Sequence, residues 1–214
     1  MTNDVWSERA AAYVESDAHR EGEDLDQLVA WAAGARTALD VATGGGHVAR
    51  RLRDAGLEVV TSDPAPGMRP DVVSRAESLP FADNAFDVVA CRTAAHHFSD
   101  PAAAVREMAR VSRDRVLLVD TVFMGDDVEE AERRRDPSHV RNYTEAEWRG
   151  FVDDAGLGID EVRFSAHTID FRAWLARTGC EGREAQLVEA LLADRVADGR
   201  LTLDKIAIRA VKGY

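Results

Sequence analysis

An α/β fold, a mostly parallel β-sheet covered by helices on both faces, is predicted by three features of this 214-residue sequence. Apolar runs of strand length alternate with amphipathic stretches of helix length. The first run enters a glycine cluster, Gly44 to Gly46, and an acidic residue, Asp63, closes the second. Parallel neighbours need crossover connections, which the intervening helical stretches supply. At 23.5 kDa, with 45% apolar and 31% charged residues, the chain suits one globular domain with a well-buried core.

Each element has a local reason. Helices are predicted near Val5 to Ser16 and near Asp24 to Ala33, where Leu25, Leu28, Val29 and Ala32 repeat at helical spacing. Thr37 to Ala42 reads as the first strand, and His47 to Ala55 as a helix stopped by Gly56. Leu57 to Ser62 and Asp71 to Ser74 read as strands two and three. The proline-rich Pro64 to Pro70 leaves no room for a helix between them. Phe86 to Cys91 is the fourth strand. A helix then starts at Pro101 behind an Asp100 cap and runs to about Val111. Arg115 to Asp120 is the fifth strand.

Thr144 and Glu147 have the capping-box form, and Trp148, Phe151, Val152 and Ala155 make the apolar stripe of a helix stopped by Gly156. Ile159 to Phe164 reads as a strand, Asp170 to Thr178 and Arg183 to Ala197 as helices. Leu203 to Val211 reads as a seventh strand in which Ile206, Ile208 and Ala210 alternate. Ligands of such sheets bind beyond the carboxyl ends of the strands. The chemistry is therefore expected in the loops that begin at Thr43, Asp63, Ala76, Arg92 and Thr121.

Composition excludes several classes. The formal charge is −12, and the basic run Arg133 to Arg135 is flanked by Glu129, Glu130, Glu132 and Asp136, so no nucleic-acid partner is expected. All but two of the 27 basic residues, Lys205 and Lys212, are arginine. Two cysteines, Cys91 and Cys180, make neither a disulfide framework nor a metal clip, and no metal is expected. Without a leader-like or membrane-length apolar segment, the expectation is a cytoplasmic protein with no membrane insertion, acting as a monomer or homodimer.

The informative string runs from Leu39 to Ala49. Gly44 and Gly46 with Ala49 fit the GxGxxG/A pattern, which lets the backbone approach a nucleotide-like ligand, and Asp63 supplies acceptors for ribose hydroxyls. The constellation fits two cofactors, a nicotinamide dinucleotide or S-adenosylmethionine. Asp40 favours the second, because it would repel a pyrophosphate but can pair with the ammonium of a methionine moiety.

From about Tyr13 onward, and most strongly from Leu39 to Asp120, the chain resembles class I S-adenosylmethionine-dependent methyltransferases, in particular the quinone-biosynthesis C-methyltransferases. Asp40-Val-Ala-Thr-Gly-Gly-Gly46 looks like that family's first motif, Asp63 like its ribose-binding acid, and Ala76 to Asp87 like the segment lining the adenine. Arg92 to Pro101 resembles the loop flanking cofactor and substrate, and Asp136 to Arg141 a further stretch of the same branch. The resemblance implies a Rossmann-like seven-stranded sheet, mostly parallel with the last strand antiparallel. It implies S-adenosyl-L-methionine as cofactor, S-adenosyl-L-homocysteine as product, and Asp40, Ala42, Gly44, Gly46, Asp63, Pro64, Ala76, Glu77, Arg92 and Thr93 as the cofactor site. Ala42 stands where many relatives have glycine, and Ser112 to Arg115 replace their Pro-Gly-Gly turn.

Methyl transfer needs no protein nucleophile, only an aligned acceptor, exclusion of water and, for an O–H or acidic C–H, a base. His96 and His97 are the candidate bases. Tyr13, His19, His139 and Arg141 are candidates for holding a small organic acceptor. The N-terminal helices, about residues 1–35, and a segment of about residues 165–202 are the expected cover of a dry pocket within one domain, residues 1–214. The Asn/Asp-Pro-Pro-aromatic string of DNA amino-methyltransferases, the Pro-Cys of cytosine C5 enzymes and the several cysteines of arsenite methyltransferases are all absent.

Overall fold

In the computed structural model, which describes residues 5–14 and 20–213, the apolar runs assemble into one sheet. Its strands are β1 (Thr37–Val41), β2 (Glu58–Asp63), β3 (Val72–Val73), β4 (Phe86–Arg92), β5 (Ser112–Thr121), β6 (Leu157–Asp170), β7 (Val196–Ala197) and β8 (Arg200–Lys212). The order across the sheet is β3-β2-β1-β4-β5-β8-β6, with the short β7 paired to β8. Every neighbour pair from β3 to β5 is parallel, whereas β8 runs antiparallel to β5 and β6. The expected mostly parallel sheet with an antiparallel last strand is observed, and β7 adds a two-residue eighth strand.

Alternation along the strands sorts side chains to two faces. Ala38, Val88, Ala90, Leu117 and Val119 pack against α2 (Glu23–Trp31) and α3 (His47–Asp54) through Leu25, Leu28, Trp31, Val48 and Leu52. Their neighbours Leu39, Val41, Val89, Cys91, Val116 and Leu118 face α4 (Pro101–Val111) and α6 (Glu145–Asp154), where Met108, Trp148 and Val152 are fully buried or nearly so. A smaller third core lies under α5 (Asp126–Arg135), α7 (Phe171–Ala176) and α8 (Gly182–Leu191), built on Val128, Trp174, Val188 and Leu201. The first helix, α1 (Val5–Val14), buries no residue fully. Both cysteines are buried and free.

Three expectations need correction. α5 was not expected, because Asp126 to Arg135 reads as a charged, solvated stretch; it is held by burial of Val128 and Ala131 and by ion pairing of its own buried charges. β6 and β8 extend to Asp170 and Arg200, because the two antiparallel strands remain paired register by register to that end, forming a long two-stranded arm. The helix expected over Arg183 to Ala197 stops at Leu191, where Val196 and Ala197 pair with β8 instead. Pro64 to Pro70 holds only a single 3-10 turn, Pro66–Met68, and the capping box of Thr144 with Glu147 is complete.

Leu39 lies in the centre of the sheet with no exposure, so Leu39→Ala is expected to cost about 3 kcal/mol in urea unfolding with an unchanged slope. Thr144→Ala, which removes one cap, is expected to cost about 1 kcal/mol in the same measurement.

Candidate functional site

β1 and β4 are parallel neighbours, yet the helices that follow them, α3 and α4, pack on opposite faces of the sheet. The loops diverge at that point and open a crevice. A cavity of about 320 Å3 lies there. One half is lined by Ala42 to Gly45, Asp63, Pro64, Met68 and Arg75 to Glu77, and the other by α1, α5, α7 and the far ends of β6 and β8.

The glycine loop is built around two carboxylates. Asp63 accepts from the Gly44 amide (3.0 Å) and the Ala65 amide (2.9 Å), pinning the loop to the end of β2. Asp40 accepts from the Thr43 hydroxyl (2.6 Å) and the Ala49 amide (3.1 Å), and so serves an otherwise orphaned donor of the first turn of α3. Gly44 and Gly46 adopt φ of +50° and +73°. A Cβ built on Gly44 would meet no protein atom within 4 Å, so packing within the protein does not demand glycine there; the missing side chain leaves room in the cavity. Gly45, in contrast, lies so close to α1 that a Cβ would fall 2.7 Å from the Tyr13 carbonyl oxygen. Ala42 has φ of +54°, a left-handed conformation that costs a non-glycine residue about 1–2 kcal/mol. The alanine in place of glycine therefore carries strain at the mouth of the cavity.

Glu77 accepts from the Ser99 amide (3.1 Å), the Ser99 hydroxyl (2.9 Å) and Arg75 (3.0 Å). Burial opposes its ionisation, but these bonds outweigh it and hold the carboxyl below its ordinary range. Arg92 makes a two-bonded pair with Asp24 of α2 (2.8 and 3.1 Å), and Lys205 of β8 reaches the same carboxylate (2.9 Å) and the Thr93 hydroxyl (3.3 Å). Burial works against the Asp24 charge; Lys205 and Arg92 overcome it and depress its pKa. Thr93, like Ala42, has a positive φ, +55°.

His96 Nδ1–H donates to Asp120 at 2.6 Å, and Asp120 also accepts from the His96 amide (3.0 Å). Burial alone would lower the His96 pKa, but the charge of Asp120 and this hydrogen bond raise it above its ordinary 6.5. His97 behaves oppositely. Its Nδ1–H donates to the Ser138 carbonyl (3.0 Å), and burial together with the neighbouring His96 pushes it down to about 3. Both rings line the cavity, 4.1 Å apart between centroids, with Trp6 against His97.

The cavity thus brings together Ala42, Gly44, Asp63, Pro64, Ala76, Glu77, Arg92, Thr93, His96, His97 and Tyr13. It does not bring in Asp40, whose carboxylate is spent on Thr43 and Ala49, nor Gly46, which occupies the cap position of α3 beneath the loop. His139 is buried against Glu129 (3.1 Å) and Arg141 pairs with Glu147 (3.1 Å), so neither reaches it. His19 lies outside the described residues. Asp120, Trp6, Glu132, Arg135, His167, Trp174, Arg177 and Lys205 were missed by the sequence reading. Asp120 and Lys205 left a signal, an acid at the end of an apolar strand and a rare lysine inside one. Among the described residues no group of His, Cys, Asp and Glu is arranged to hold a metal ion, and no helix is long and apolar enough to cross a membrane.

Comparison with known proteins follows the same outline. Residues 39–119 match the family described as Methyltransferase domain. The chain is 34% identical to the uncharacterized methyltransferase YcgJ of Bacillus subtilis (strain 168), covering 89% of this chain and 86% of that protein. The crystal structure of YcgJ superposes with a TM-score of 0.79 over 89% of this chain and 98% of its own. A demethylmenaquinone methyltransferase of Renibacterium salmoninarum is 38% identical over 45% of this chain and 46% of that protein. The magnesium protoporphyrin IX methyltransferase of Synechocystis PCC 6803, solved with bound S-adenosylmethionine, shares the fold at 16% identity over 88% of this chain and 78% of its own, with a TM-score of 0.56. Of the two cofactors that fit the glycine loop, these relatives support S-adenosylmethionine.

Burial pushes the Asp40 carboxyl up to about 7, from an ordinary 3.8. Between those values the unfolded chain releases a proton that the folded chain retains, so this residue makes stability fall as pH rises from about 4 to about 7. Denaturant unfolding at pH 5 and pH 7.5 is expected to show a smaller drop for Asp40→Asn than for the wild type, each unit of displacement being worth about 1.4 kcal/mol. An equal drop in both proteins would contradict this assignment.

Proposed function

The chain belongs to the class I S-adenosylmethionine-dependent methyltransferases, and on that premise we propose that it methylates O, N or C of a small organic acceptor, with His96 as base. The observation that carries the reading is the His96–Asp120 pair at 2.6 Å, facing the same cavity as the Gly44 loop. S-adenosylmethionine, when bound, supplies a methyl carbon activated by its sulfonium for in-line displacement.

The protein residues do the rest. Gly44 leaves space for the ligand, and the Asp63 carboxylate, which lines the cavity at the end of β2, holds the ribose hydroxyls. Pro64, Ala76 and Glu77 border the base, and Ala42, Arg92 and Thr93 complete the cofactor side. Asp120 keeps the proton of His96 on Nδ1, which leaves Nε2 to take the acceptor's proton. His97, held neutral and donating its Nδ1–H to Ser138, presents an accepting Nε2 that orients the acceptor without competing for its proton. Trp6 and Tyr13 of α1, with Ile169, Trp174 and Leu203 of the β6–β8 segment, line the opposite wall and exclude water. These two segments act as the cover of the site.

Isothermal titration with S-adenosylhomocysteine tests the cofactor assignment. The wild type is expected to bind it and not NAD(H). Asp63→Ala is expected to bind about tenfold to a hundredfold more weakly, the scale of lost hydrogen bonds to a charged acceptor. Binding of NAD(H) in place of the nucleoside would overturn the reading.

Acceptors are found by following S-adenosylhomocysteine release across small phenols, enols and amines. With any acceptor that must lose a proton before transfer, His96→Ala is expected to lower kcat by about 10²- to 10⁴-fold while product affinity stays the same. Because His96 must be unprotonated to act, kcat should rise with pH through a midpoint above 6.5. Asp120→Asn should move that midpoint downward. A pH-independent kcat with such an acceptor would remove His96 as the base.

A further inference from the structure

The end of the cavity remote from the glycine loop is unusually cationic for so acidic a chain. Among the described residues, three cations border it, Arg135, Arg177 and Lys205, and Arg92 on the cofactor side joins them through a shared carboxylate. Two carboxylates answer them. Asp24 is shared by Arg92 and Lys205, and Glu132 pairs with Arg135 at 3.0 Å. The other carboxylates nearby are already matched, Asp120 by His96 and Asp136 by Arg9 at 3.2 Å.

Arg177 is the residue left over. It follows α7 and lines the cavity, and its guanidinium donates no hydrogen bond to, and forms no ion pair with, the described residues. Its neighbours add to the mismatch: Arg135 repels it, and the nearest groups of opposite polarity are the phenol of Tyr13 and the already engaged Glu132. Burial and Arg135 push Arg177 down to about 10, and His167 on the same wall is pushed to about 4 by burial and by Lys205. Partly withdrawn from water and without a partner, this guanidinium gains from any anion that reaches it. The remaining wall, Trp6, Ile169, Trp174 and Leu203, is apolar.

We propose that the methyl acceptor is an amphipathic acid, with an apolar body against Trp6 and Trp174 and a carboxylate received by Arg177 beside Arg135. The fork of the guanidinium suits two parallel bonds to such a group. This inference rests on the methyltransferase reading and adds the class of acceptor to it.

The test uses protein saturated with S-adenosylhomocysteine, titrated calorimetrically with hydroxylated aromatic and aliphatic carboxylates, each beside its uncharged methyl ester. Acids are expected to bind at least about tenfold tighter than their esters, equivalent to about 1.4 kcal/mol. In Arg177→Gln that preference should disappear, and in Arg177→Lys it should return in part; Arg177→Gln should unfold at or above the wild-type midpoint, and both variants should keep the product affinity of the wild type. Equal binding of acids and esters, or no acid bound at about 10 mM, a concentration at which contacts worth under 3 kcal/mol would still register, overturns the proposal. So does a loss of S-adenosylhomocysteine affinity in Arg177→Gln, which would assign the guanidinium to the carboxylate of the nucleoside itself. If the wild type binds no S-adenosylhomocysteine at all, the methyltransferase reading fails first and this inference falls with it.

Discussion

The divergence of the chain between β1 and β4 is the constraint on which the rest depends. Two parallel strands, hydrogen bonded from Ala38 with Val88 to Val41 with Cys91, send their next helices to opposite faces. The backbone cannot fill the gap this leaves at their carboxyl ends. Both strands leave the sheet through a non-glycine residue of positive φ, Ala42 and Thr93, and each is held by a neighbour: Thr43 by the Ser62 carbonyl, Thr93 by the Val119 carbonyl. The cavity is therefore imposed by topology, and its chemistry is then chosen by what the loops carry.

Much of the charge inside this protein is organised in small ion-paired groups that also tie elements together. Asp24 joins α2 to β4 and β8 through Arg92 and Lys205, across 68 and 181 residues of sequence. Glu129 gathers His139 and both nitrogens of Asn142 onto α5. Such clusters gain little net stability over an apolar core, but breaking one member strands a buried charge, so they fix which segments meet.

Much of this was legible in the sequence where local physics decides. The five parallel strands follow from apolar runs, and the half of the cavity built from Gly44, Asp63, Pro64, Ala76 and Glu77 from a glycine turn and an acid one strand later. What was not legible depends on side-chain pairing and tertiary packing that apolar periodicity does not report. Asp126 to Arg135 forms a helix because Val128 and Ala131 meet residues of the β6–β8 segment and Arg135 donates to the Trp174 carbonyl. His139 and Arg141 look like substrate ligands until Glu129 and Glu147 claim them. Arg177 and Lys205 reach the cavity only through the length of the antiparallel arm, which periodicity over a few residues does not reveal.

The attachment of α1 has a kinetic meaning. This helix contributes Trp6 and Tyr13 to the cavity, yet no residue of it is fully buried; it is fastened by the Ser7 hydroxyl to Gly67, by Arg9 to Asp136 and the Thr178 carbonyl, and by the Tyr13 carbonyl to His47. A handful of half-exposed polar links separates from water at far smaller expense than a strand of the central sheet. This helix is therefore the segment expected to open first, uncovering the cavity while the scaffold stays intact.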